Sequence, residues 1–95
     1  MAIAEFSITP VVGEELTPYI DAAIDVVKNS GLKYEIDALS TTIEGELDQI
    51  LTVVGDAHRA AIRAGARRVV TALQIDDKWV ETSIEEQLEG YRASL

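Results

Sequence analysis

Two stretches of this chain carry apolar residues at helical spacing, and each is bracketed by short runs that alternate with period 2. Leu16, Ile20, Ala23, Ile24 and Val27 form the first helical stripe. Thr17-Pro18 predicts its start, a hydroxyl cap with proline at the first helical position, and Asn29-Ser30-Gly31 predicts its end, with Gly31 as the left-handed cap. Leu47, Ile50, Leu51, Val54, Ala57 and Ala61 form the second stripe, a helix over 46–64 closed by Gly65. Gly55 within it costs about 1 kcal/mol relative to alanine and marks a position of close packing. The bracketing runs predict strands over 3–9, 34–39, 41–44 and 68–75, with Pro10 and Gly13 ending the first. Ser83 with Glu86 has the spacing of a capping box, and Ile84, Leu88, Tyr91 and Leu95 follow at helical spacing.

The order is therefore β-α-β-β-α-β-α. Its first six elements make two β-α-β halves, the α+β ferredoxin-like sandwich. Right-handed crossovers place both long helices on one face of a four-stranded antiparallel sheet. An additional C-terminal helix follows, and its apolar stripe requires a surface, either this chain's sheet or a second copy. In strand four Val69, Leu73 and Ile75 fall on one side and Val70 and Ala72 on the other, while strand one sets Ile3 opposite Phe6 and Ile8. Apolar residues on both sides predict a sheet covered on both, its open face packed on another subunit. The expected assembly is a dimer or tetramer.

At 95 residues the chain is expected to form a single domain over 1–95. No cysteine is present, which excludes disulfides, thiolate metal sites and cysteine nucleophiles, and fits a cytoplasmic setting. No apolar run has the length of a membrane span, and no secretory signal is expected at the N-terminus. The formal net charge of −9, with 8 Lys and Arg in total, argues against nucleic acid, whose phosphates need clustered cations. The one basic cluster, Arg59, Arg63, Arg67 and Arg68, lies late in the second helix and at the following strand, where it complements the dipole at the helix C-terminus.

Catalytic patterns are absent. His58 is the sole histidine, with no carboxylate three or four residues on, which disfavours zinc and fits a packed or hydrogen-bonded side chain. No motif joins a Ser or Thr to it as nucleophile and base. The glycines form no phosphate cradle. Glu14-Glu15 favours the positive end of the first helix, Asp76-Asp77-Lys78 reads as a solvated turn, and Trp79 as an anchor at an oligomer contact. Ser7, Thr42 and Glu44 remain. In Thr41-Thr42-Ile43-Glu44-Gly45, a short strand presents hydroxyls and a carboxylate, groups suited to a small polar or cationic molecule. They suit slightly better the ordinary surface of a strand, with Glu44 as a solvated edge charge, and pattern alone leaves both readings open.

Several segments together resemble a known family. They are Phe6-Ser7-Ile8-Thr9-Pro10, Gly31-Leu32-Lys33-Tyr34, Thr41-Thr42-Ile43-Glu44-Gly45, Ala57-His58, and Arg68-Val69-Val70-Thr71 through Ile75-Asp76-Asp77. In order and spacing they resemble the small YkoF-like thiamine-binding proteins, over nearly the whole chain. That resemblance implies a ferredoxin-like dimer or tetramer that binds thiamine or its hydroxymethylpyrimidine moiety without turnover. No resident cofactor is implied. Fitted to that ligand, Glu44 accepts from the exocyclic amine and Ser7 and Thr42 bond the pyrimidine edge. Glu5 and Asp37 face the open side as further carboxylates, and Phe6 and Tyr34 belong to the helix-side core. The negative charge favours unphosphorylated thiamine. The other class kept open is an oligomeric scaffold or regulatory module that binds protein. An acylphosphatase-like enzyme lacks its basic phosphate loop, since Val11-Val12-Gly13-Glu14-Glu15 follows strand one.

Overall fold

The computed structural model describes residues 1–13, 15–79 and 84. Its elements run β1 (Ala2–Pro10), α1 (Thr17–Asn29), β2 (Lys33–Ile36), β3 (Thr41–Gly45), α2 (Leu47–Arg63) and β4 (Val69–Asp77). The sheet order is β2-β3-β1-β4, every pair antiparallel. This is the ferredoxin-like α+β arrangement. The expected C-terminal helix lies outside the described residues except for Ile84, whose backbone is helical and whose side chain is buried.

Both helices cover one face. Ala2, Ala4, Phe6 and Ile43 from the sheet pack with Ala23 and Val27 of α1 and with Ile50, Val53, Val54 and Ala57 of α2. Tyr34 and Ile75 pack against the same cluster, so Phe6 and Tyr34 are helix-side residues as expected. Side chains alternate across a strand. Ile3, Glu5, Ser7 and Thr9 of β1 therefore point to the opposite, open face.

The caps follow from local chemistry. Gly31 (φ 82°) and Gly65 (φ 116°) take the left-handed conformation at the two helix ends, as their positions predicted. At the start of α1 the cap differs from the expected Thr17 hydroxyl. The Glu15 carboxylate accepts the Thr17 N–H at 3.0 Å, and Leu16 is the residue at the boundary. At the start of α2 the Gln49 Oε1 accepts the Glu46 N–H at 3.1 Å. A Cβ on Gly55 would meet the Arg59 side chain at 3.3 Å, so that glycine lies under a flexible arginine of its own helix, not a packed neighbour.

Two boundaries differ from expectation with clear causes. β2 ends at Ile36, not at residue 39, because Ile36 pairs with Thr41 and four residues must reverse the chain. The Asp37 N–H donates to the Ser40 carbonyl at 2.8 Å to close that turn. β4 runs on through Asp76 and Asp77, which pair with Ile3 and Ala2 and are not a turn. Trp79 is almost fully exposed. Among the described residues no helix is long and apolar enough to cross a membrane.

Candidate functional site

The strand registers arrange the open face in rows. Lys33, Glu44, Ile3 and Asp76 share one row; Glu35, Thr42, Glu5 and Gln74 share the next. Ser7 and Ala72 make a third, Thr9 and Val70 a fourth. Four of the five expected site residues, Ser7, Glu5, Thr42 and Glu44, thus lie on one face, within three successive rows. Four side chains of the first two rows, Glu35, Glu5, Glu44 and Asp76, are carboxylates. The apolar content of this face is smaller than the two-sided pattern in β4 suggested: Ile3, with Val70 and Ala72 near one corner.

Asp37 is placed differently from the other four. Having left β2, it sits on the 37–40 turn and is exposed. The two carboxyl-bearing rows end where that turn begins, so Asp37 approaches the site from its rim.

Two grooves adjoin at this rim. One, of about 410 Å³, lies on the open face between Glu5, Ser7, Ser40, Ala72 and Gln74. The other, of about 420 Å³, runs under the turn toward α1, lined by apolar side chains such as Ile8, Ile20, Ile36 and Leu39, with Asp37 at its edge. Phe6, Ser7, Leu39 and Ser40 line both. Each groove has the volume of a small-molecule pocket. One is polar and anionic at its floor, the other apolar, so a ligand with a cationic end and an aromatic end is matched by the pair.

Glu44 has a further partner. Its Oε2 accepts the Ile84 backbone N–H at 2.7 Å. The carboxylate thereby fastens a residue forty positions away onto the open face, beside a side chain that is only 1% exposed. On the helix side, His58 Nδ1 is 2.6 Å from the Thr71 hydroxyl, joining α2 to β4 as a packed, hydrogen-bonded histidine.

Sequence reasoning missed Gln74, which faces Glu5 across the β1–β4 register, and Ser40, which stands just before the threonines outside the family-like segments, carried little weight in the sequence yet lines both grooves. A register between strands distant in sequence is set by packing, and no local signal announces it. Ser40 was legible in principle: a serine just before a strand, after too few residues to turn, must itself be in the turn.

Residues 4–92 match the family model described as thiamine-binding protein. The chain is 35% identical over 104 residues to the UPF0045 protein YqgV of Bacillus subtilis, covering 100% of this chain and 98% of that one. Its fold matches a Bacillus cereus domain of unknown function at a TM-score of 0.89 with 37% identity, over 98% of this chain and 91% of the other. It also matches, at a TM-score of 0.85 and 34% identity, a Thermotoga maritima protein proposed to act in thiamine biosynthesis or salvage, over 96% of this chain and 98% of that one.

Proposed function

Because the chain belongs to the thiamine-binding protein family, we propose that it binds unphosphorylated thiamine, or the hydroxymethylpyrimidine part of it, on the open face of the sheet and does not turn it over. The observation that carries this reading is the pair of adjoining grooves that share Ser7 and Ser40, one bordered by Glu5 and the other apolar. Thiamine has a permanently cationic thiazolium ring joined to an aminopyrimidine. The thiazolium lies toward Glu5, in the field of Glu35, Glu44 and Asp76, and the pyrimidine toward Ser7 and the apolar groove. Thr42, beside Glu5 in the register, supplies a hydroxyl; Glu44 acts through Oε1; Asp37 borders the pyrimidine end. Charge-assisted hydrogen bonds of about 1.5–3 kcal/mol each, two or three in number, support micromolar affinity.

The role served is carriage, salvage or sequestration of the vitamin in the cytoplasm. We further infer that the single 1–95 domain self-associates to a dimer or tetramer, with exposed Val70 and Ala72 on the open face as the contact. Light scattering at micromolar concentration reads this directly, and a monomer would contradict it.

The ligand is tested by calorimetric titration with thiamine, thiamine diphosphate and hydroxymethylpyrimidine. Low-micromolar thiamine binding, with the diphosphate at least about tenfold weaker because like charges repel, is the expected result. Diphosphate binding as tight as thiamine would contradict the anionic site. An absence of heat with all three, in a folded oligomer, would instead favour the protein-binding scaffold.

A further inference from the structure

The β1 strand outruns β3. Its ladder to β3 covers Ala2 through Phe6, whereas its ladder to β4 continues to Pro10. Which backbone groups this leaves unpaired follows from the hydrogen bonds that flank the β1–β4 ladder. The Val11 N–H donates to the Arg68 carbonyl at 2.7 Å, and the Lys78 N–H to the Met1 carbonyl at 3.4 Å. Both pairs extend the β1–β4 register, so odd-numbered residues of β1 direct their N–H and C=O toward β4. Even-numbered residues direct theirs toward β3. Ala2, Ala4 and Phe6 meet Gly45, Ile43 and Thr41 there.

Ile8 is the next even residue. Its opposite number would be residue 39, but the 37–40 turn carries the chain away, leaving Leu39 90% exposed. Among the described residues the Ile8 N–H and C=O on this side have no partner. They lie where the two grooves meet, with Ile8 itself lining the apolar one. Unpaired backbone groups at a half-buried strand position are costly unless something satisfies them.

We propose that the Ile8 N–H and C=O form the recognition edge for the aminopyrimidine ring, a proposal that rests on the thiamine reading above. A single strand residue presents one donor and one acceptor side by side. An aminopyrimidine presents the complement: an exocyclic amine that donates, next to a ring nitrogen that accepts. The amine donates to the Ile8 carbonyl and the ring nitrogen accepts from the Ile8 N–H, with the ring flat between Leu39 and the α1 side of the groove. A peptide strand fits less well. It would gain only this one complete rung, since the next even residue is Pro10, which has no N–H.

The edge is selective as well as adhesive. An analogue with a carbonyl in place of the exocyclic amine sets oxygen against the Ile8 carbonyl and a ring N–H against the Ile8 N–H. It loses both bonds and gains two repulsions.

The test uses the full chain labelled with nitrogen-15, titrated with thiamine and, separately, with the carbonyl analogue. The expected result is a thiamine-dependent downfield shift of the Ile8 amide proton, slower exchange of that proton, and binding of the analogue at least about tenfold weaker. Thiamine binding with the Ile8 amide unmoved, or with the analogue equally tight, would overturn the edge while leaving the thiamine reading intact. A total absence of shifts at millimolar thiamine and hydroxymethylpyrimidine would overturn both. An extended peptide that moves Ile8 where thiamine does not would assign the edge to strand addition instead.

Discussion

The Glu44 carboxylate accepts the backbone N–H of Ile84 at 2.7 Å, across forty residues of sequence. A strand carboxylate on the face opposite the helices thus holds Ile84 against the sheet. Glu44 therefore has two candidate tasks, one for each oxygen: fastening Ile84 and contributing to the anionic field of the open face.

The two tasks separate by substitution. Glu44→Ala leaves the buried Ile84 N–H without its acceptor and should lower stability by about 1.5–3 kcal/mol, the range for a charge-assisted hydrogen bond. Hydrogen exchange at the Ile84 amide should accelerate accordingly. Glu44→Gln keeps an acceptor but no charge, so it should preserve most of that protection while weakening thiamine binding about tenfold. Equal protection of Ile84 in wild type and Glu44→Ala would remove the fastening role.

The His58–Thr71 contact ties α2 to β4 at 2.6 Å. Thr71→Val keeps the side-chain volume and removes the hydroxyl. Chemical denaturation should show a loss of about 0.5–1.5 kcal/mol, with thiamine affinity unchanged because this contact lies on the helix side. A loss of affinity without a loss of stability would place His58 in the binding machinery.

Ile50 is fully buried between α2 and the sheet. Ile50→Ala should cost about 2–5 kcal/mol, the transfer term plus the cavity left behind. Thermal unfolding reads it. An effect within the error of a surface substitution would contradict the helix-side core.

The hydrogen bonds from Thr17 hold the Glu15 carboxyl below the ordinary glutamate range. A depressed folded-state value stabilises the fold above the unfolded value, and this contribution disappears as the pH falls through the folded one. Glu15→Gln should therefore be the less stable protein at neutral pH and converge with wild type in acid. A difference that grows as the pH falls would reverse the assigned sign.

Most of the fold was legible because its cues are local. Helical stripes, Gly31 and Gly65, and the two-period alternation set the element order, and that order fixes the sheet. The Ser7, Glu5, Thr42 and Glu44 grouping was legible for the same reason: odd residues of β1 and even residues of β3 share a face once the strands pair. What was not legible depends on distance in the chain. The Glu44–Ile84 bond joins residues whose neighbourhood no periodicity encodes. Gln74 meets Glu5 through a register set by packing. Asp37 was assigned to a strand because Tyr34 to Leu39 alternate, yet the need to reverse before Thr41 overrides alternation.

The most direct test of the thiamine site is a crystal structure of the protein grown with thiamine. The pyrimidine ring is expected in the groove between Ser7, Leu39 and Ser40, with the thiazolium beside Glu5. Thiamine seated instead in the outer groove between α1 and α2, near Asp25, Asp56 and Arg63, with the open face empty, would contradict it.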